Sequence, residues 1–247
     1  MLDSRVGTGS TSSMRIYPGV PSGRDVRRLG VSLFCVLFVI LLAGPSAVRA
    51  QVPLFPEEVE RIDVIAVERD GRELYAFDAL SGGRSTIRLE VGENVLFEKS
   101  RGRIGIVLTD RRMLGVVSGA GWSELRVGVQ EQAPTEALLG DQVAVLVSNR
   151  RAIGFASTSG WFTEKFGPSE SATALRVGSA VGVIVTNRRA LGASPAAGGF
   201  AGQDLQVREK LESIATQDTL ATVRTERRIL VYSAPRTLWT EQKRRIN

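Results

Sequence analysis

Short apolar segments separated by polar punctuation dominate this chain from about residue 57 onward. Ile104–Thr109, Val143–Ser148, Val181–Thr186 and Leu220–Thr225 are each six residues long, rich in β-branched side chains and too brief for helices. Each is followed by a polar residue and an arginine pair, then by a second apolar run such as Met113–Ser118 or Ala152–Ser157. This order predicts a tight hairpin, with Asp110, Asn149 or Asn187 taking the turn backbone. A glycine-aromatic step opens a third segment with polar alternation, as in Trp122–Val127 and Trp161–Phe166. A fourth, Ala137–Leu139 or Ala174–Val177, leads into the next copy. Four strands recur without a helical segment, so the expectation is an all-β chain.

The recurrence is periodic. VLTDRRMLG, LVSNRRAIG, IVTNRRALG and VRTERRILV place Arg112, Arg151, Arg189 and Arg228 at spacings of 39, 38 and 39 residues. A weaker copy, AVERDGRELY, puts Arg72 forty residues before Arg112. Trp122, Trp161, Phe200 and Trp239 keep an independent 39-residue step; the first copy has Gly82-Gly83 near the place of the aromatic. Gly105, Ala144, Gly182 and Ala221 are small at equivalent places, as expected where innermost strands crowd an axis.

Five repeats of about 40 residues with four strands each resemble the blades of a five-bladed β-propeller. No specific propeller family is recognised, because the hairpin lacks a Trp-Asp dipeptide, a Ser-x-Asp box and a kelch-type double glycine. The resemblance implies antiparallel four-stranded blades. The last copy stops after its third strand, and Glu57–Val67 resembles the join between repeats, so the N-terminal segment is expected to supply the strand missing from the final blade. Two chains sharing a larger ring are the alternative.

The N-terminal region has a different pattern. Arg24, Arg27 and Arg28 precede the apolar run VSLFCVLFVILLAG, Gly44-Pro45 follows it, and Val48-Arg49-Ala50 offers small residues to a signal peptidase. A signal peptide over 1–50 and an all-β domain over 51–247 are expected, with Met14 a possible true start and an uncleaved membrane anchor the alternative. The protein is then periplasmic or secreted.

Removing that leader changes the charge and the chemistry. It carries six arginines against two aspartates, +4 of the chain's net +6, so the remaining domain is nearly neutral and a nucleic-acid partner is not expected. Cys35, the single cysteine, leaves with it, and the chain has no histidine. Thiol chemistry, Ser-His-Asp hydrolysis and most zinc sites are thereby excluded. No phosphate-cradling Gly-Lys-Ser/Thr loop is present, and no cofactor is expected.

Three constellations remain. Arg112, Arg151, Arg189 and Arg228 form a basic ring suited to carboxylate or phosphate oxygens, or else serve as struts between blades. Trp122, Trp161, Phe200 and Trp239 are either sugar-stacking platforms or packing between blades. Asp63, Asp141 and Asp218 stand before inner strands, where a carboxylate glycosidase would place its acid and base, and where turns also favour aspartate. The expected function is a non-enzymatic scaffold or protein-binding module of the cell envelope, with another envelope protein as partner. A multivalent carbohydrate-binding propeller and a carboxylate glycoside hydrolase are the alternatives.

Overall fold

A computed structural model describes residues 62–244. The expected leader and residues 57–61 of the expected closing strand lie outside that range. Among the described residues every regular element is a strand, and no helix is long and apolar enough to cross a membrane.

Nineteen strands form five antiparallel sheets, each a simple meander. Sheet I contains β1 (Ile65–Asp70), β2 (Glu73–Asp78) and β3 (Gly83–Arg88). Sheet II contains β4 (Val95–Arg101), β5 (Ile104–Thr109), β6 (Arg112–Val117) and β7 (Gly121–Arg126). Sheet III is built from β8 (Leu138–Leu139), β9 (Val143–Val147), β10 (Arg151–Ala156) and β11 (Gly160–Lys165). Sheet IV follows with β12 (Ala172–Val177), β13 (Gly182–Thr186), β14 (Arg189–Ala193) and β15 (Phe200–Asp204). Sheet V ends the series with β16 (Leu211–Thr216), β17 (Leu220–Thr225), β18 (Arg228–Ser233) and β19 (Leu238–Lys243).

The middle strands carry the core. Every residue of β5 and β6 is buried, whereas the outer β4 and β7 are largely exposed or half-buried. Hydrophobic clusters lie between consecutive sheets: Ile106 and Leu108 of sheet II meet Ala144 and Phe155 of sheet III, and Val183 of sheet IV meets Ala221 and Tyr232 of sheet V. Face-to-face packing of four-stranded meanders in sequence order is the architecture of propeller blades.

Several expectations are corrected. The short strand expected to finish each repeat instead opens the next sheet, since β8 pairs with β9 and β12 with β13. A tight turn joins those partners, while a long loop separates each from the preceding strand, so the local hairpin wins. Sheet V consequently draws all four strands from its own repeat and needs none from the N-terminus.

The first copy is also displaced by one residue. Asp70 pairs with Glu73 across the turn Gly71-Arg72, which makes Arg72 the counterpart of Arg111 and puts Glu73 at the place of Arg112. Arg84, paired with Phe77 as Trp122 is with Val116, occupies the aromatic position and lies over the Tyr75 ring at 5.3 Å.

The small residues of the second strand answer to the neighbouring sheet rather than to an axis. A Cβ on Gly105 would meet Val67 Cγ2 at 2.6 Å, and one on Gly182 would meet Val145 Cγ1 at 2.4 Å. The next strand repeats the device with aromatic partners. Gly115 accepts the ring of Phe155, and Gly192 accepts that of Tyr232. Sheet IV has Ala193 where that ring belongs, and Phe162 of sheet III fills the space against Gly154 instead.

The end sheets differ from the inner ones. Where sheet II presents Val107 and Trp122 to its predecessor, sheet I presents Glu68 and Arg84, and its Phe77 is 45 % exposed. Where sheet II presents Ile106 and Leu108 to its successor, sheet V presents Thr222 and Arg224. Among the described residues no hydrogen bond, ion pair or hydrophobic cluster joins sheet V to sheet I.

Candidate functional site: the arginine edge

A meander puts its second-to-third hairpins and the loops between sheets on one edge, and its remaining turns on the other. Both arginines of each pair are therefore on the first edge, and the three aspartates are on the second.

The two arginines of a pair have opposite fates. Arg112 opens β6 and points inward, its side chain 8 % exposed against a fully buried Glu93. Its Nε donates to Glu93 Oε1 at 2.9 Å, Nη2 to Glu93 Oε2 at 3.1 Å and to the Arg88 carbonyl at 2.8 Å, and Nη1 to Glu124 at 2.5 Å. Thr109 completes the cluster: its hydroxyl donates to Glu93 and accepts from the backbone N–H of Arg112. Because Arg88 ends the previous sheet and Glu93 lies in the connecting loop, one guanidinium clamps a sheet, its loop and its predecessor together.

The clamp recurs around Arg151, Arg189 and Arg228, held by Glu131, Glu170 and Glu209 and reaching back to the carbonyls of Arg126, Lys165 and Asp204. Burial alone would push these glutamates' pKa up. The hydrogen bonds from arginine, hydroxyl and backbone N–H outweigh it and hold all four below the usual carboxylate range. Three of the arginines, Arg112, Arg189 and Arg228, are held above theirs, chiefly by the hydrogen bond to that glutamate.

The exposed members are Arg111, Arg150, Arg188 and Arg227. Beside each runs a four-residue turn ending in the buried glutamate: Glu90–Glu93, Gly128–Glu131, Gly167–Glu170 and Gln206–Glu209, closed each time by a hydrogen bond from the last N–H to the first carbonyl. The third residue has positive φ, as at Gly92, Gln130, Ser169 and Arg208. The second is thrown outward: Val91, Val129 and Val207 are 77 %, 91 % and 85 % exposed, with Pro168 at the same place in the third turn. Sequence reasoning passed over these loops, although VGE, GVQE, GPSE and QVRE repeat at the period of the arginines.

The edge is concave at sheet III. A cleft of about 800 Å³ opens there, walled by Arg126, Val129, Arg150, Arg151, Lys165 and Phe166 among others. Glu131 and Glu170 also line it, but each is committed to its clamp arginine. The cleft is consequently basic, with Val129, Phe166 and Pro168 adding apolar lining.

The aromatic series lies between sheets. The indole N–H of Trp122 donates to the Ser85 carbonyl at 3.3 Å, that of Trp161 to Ser123 at 3.4 Å and that of Trp239 to Ala201 at 2.8 Å, each acceptor being in the preceding sheet. Trp161 also tilts against Phe155 and Trp239 against Tyr232, with centroids 4.7 and 5.2 Å apart, while Phe200 meets Phe162 edge-on at 5.0 Å.

The aspartates belong to a backbone ladder along the far edge. Val64 N–H donates to Gly102 C=O, Arg103 to Asp141, Gln142 to Ser179 and Ala180 to Asp218, stepping from sheet I to sheet V at 2.7–3.0 Å. Asp63 Oδ1 accepts from Gly102 N–H; Asp141 pairs with Arg101 Nε at 3.0 Å and accepts from the Ser179 hydroxyl at 2.6 Å. Asp63, Asp141 and Asp218 thus sit in alternate sheets, with Gly102 and Ser179 at the same position between them, and do not face one another as a pair.

No family model matches the chain, and no curated protein matches it in sequence. Among solved structures it is similar to Prp20p from Saccharomyces cerevisiae, a protein described by its binding to Gsp1p and histones, at 8 % identity over 69 % of this chain and 55 % of that one, TM-score 0.37. It is similar to AztD from Citrobacter koseri at 11 % identity over 72 % and 58 %, TM-score 0.38, and to the computationally designed Ika8 at 14 % over 72 % and 61 %, TM-score 0.32. The chain spans little more than half the length of Prp20p and AztD. The sheet order and the repeated junctions, rather than these distant likenesses, fit a β-propeller of five blades, with three strands described in the first sheet and four in each of the others.

Proposed function

We propose that the chain is a non-enzymatic β-propeller, exported after cleavage before Gln51, that binds another protein of the cell envelope through its arginine edge. One observation carries the reading: exposed valines and exposed arginines alternate along a single edge, on loops whose backbone is fixed from beneath by the glutamate clamps. Arginine is enriched at protein interfaces, the exposed valines beside it add apolar area that docking would bury, and a rigid scaffold presenting them loses little entropy on docking. The aspartates are engaged in turns on alternate sheets at the opposite edge, which supports a binding role over hydrolysis.

The test is site-specific photo-crosslinking in the intact envelope. A photoreactive residue at Val129 or Val207 is expected to trap a defined protein, whereas the same residue at Leu80 or Leu238, on the other edge, is expected to trap none. Equal trapping from both edges, or trapping from Leu80 alone, would move the contact away from the arginines.

A further inference from the structure

The four clamps share one plan, with Ser148 in sheet III where the others have Thr109, Thr186 and Thr225, and they differ in what the outer side of the guanidinium meets. In three of them the outer nitrogen of the guanidinium, Nη1, meets a second carboxylate. Arg112 takes Glu124 and Arg228 takes Glu241, each from its own sheet's last strand, and Arg189 takes Glu164 from the sheet before, at 2.7 Å. The register shows what sheet III has instead. Thr163, opposite Ile153, stands where Glu124 stands opposite Leu114 and Glu241 opposite Leu230. The alternative source, the place in sheet II equivalent to Glu164, is Leu125. Arg151 keeps its bonds to Glu131 and the Arg126 carbonyl, but its Nη1 has no partner among the described residues. The Arg151 side chain is 17 % exposed and lines the basic cleft.

We infer that the cleft at sheet III is a carboxylate-binding site, and that the side chain of a glutamate or aspartate from an acidic segment of the partner completes the Arg151 clamp. The protein's other clamps define the ligand: a carboxylate oxygen in hydrogen-bond contact with Nη1 is what the same geometry holds three times from within. Arg150 and Lys165 flank the position and favour further acidic residues on either side, while Phe166 and Val129 offer apolar contact to the intervening chain. An Arg guanidinium already fixed by three hydrogen bonds on its inner side is preorganised, so a carboxylate gains a charge-assisted hydrogen bond without ordering the side chain.

This inference rests on the reading of the arginine edge as a protein-binding surface and narrows it to one contact, so its test separates the two. A fluorescent hexaglutamate peptide and a hexaglutamine control are titrated into the full exported protein, followed by anisotropy, for wild type, Thr163→Glu, Thr163→Gln and Arg150→Gln. Hexaglutamate alone is expected to bind, more weakly as salt rises. Thr163→Glu, which supplies the missing carboxylate from within, is expected to lose at least tenfold in affinity and to melt no lower than wild type. Thr163→Gln is expected to bind as wild type does, and Arg150→Gln to weaken binding several-fold.

Hexaglutamate binding unchanged by Thr163→Glu would overturn the Arg151 site. If Arg150→Gln still weakened it, the broader edge reading would stand. Wild-type protein that fails to bind hexaglutamate would likewise overturn the inference. Crosslinking from Val129 would then decide separately whether the edge binds protein at all.

Discussion

Replacing Glu93 by glutamine isolates what one clamp contributes, because the substitution keeps the shape and removes only the charge. The carboxylate is fully buried and surrounded by donors alone: Arg112 Nε and Nη2, the Thr109 hydroxyl and the Glu90 N–H, at 2.6–3.1 Å. A glutamine offers one oxygen to that set and turns its own amide N–H groups against the remainder. Breaking a buried ion pair by removing one partner costs about 3–5 kcal/mol. Arg112 retains Glu124 and the Arg88 carbonyl, which places the expected cost toward the lower end, about 3 kcal/mol. For a domain of this size that corresponds to a fall in Tm of roughly 6–12 °C. Urea unfolding followed through Trp122, which sits at the same junction, reads the loss. Glu90→Gln is the matched control, since Glu90 is 40 % exposed and meets Arg111 at 3.3 Å; its expected cost is below about 1 kcal/mol. Equal costs for the two variants would refute the reasoning, for the clamp would then be no more than a surface ion pair.

Three further outcomes are expected. Glu93, Glu131, Glu170 and Glu209 have folded pKa values below the unfolded value near 4.3, so their stabilisation is complete above about pH 4.5 and is lost as pH falls through the lower folded values; tryptophan fluorescence across an acid titration should show stability falling only in that range. Phe162→Ser should open a cavity beside Gly154 and cost about 3 kcal/mol, Ala193→Phe should overpack the same space, and the double variant should recover most of the loss, with urea midpoints as the measure. N-terminal sequencing of the exported protein should begin at Gln51, and an intact leader in the membrane fraction would favour an anchor.

The repeat, the strands and the all-β class were legible because each follows from local pattern: β-branched runs, turn residues and a 39-residue step. Pairing was not. β8 has only two residues, Leu138 and Leu139, and nothing in its composition says that it belongs with Val143–Val147 rather than with the strand before it. Loop length held the answer, since a tight turn separates those partners and a long loop separates β7 from β8. The arginine pair was visible without its division of labour, which depends on strand parity: Arg112 begins a strand and faces inward, while Arg111 caps the turn. The glutamate that decides the matter lies 19 residues upstream of Arg112, in a loop that hydrophobic patterning ignores. Thr163 was the least legible of all, because its significance lies in what the equivalent positions carry, and equivalence is fixed only by the register.

The account turns on three clamps being saturated from within and the fourth being open. Side-chain ¹⁵N NMR of the guanidinium groups, recorded while hexaglutamate is added, addresses this directly. The Arg151 resonances are expected to shift and saturate with the binding curve, while those of Arg112, Arg189 and Arg228 stay in place. Shifts of equal size at all four arginines, or at Arg112 or Arg228 without Arg151, would contradict it.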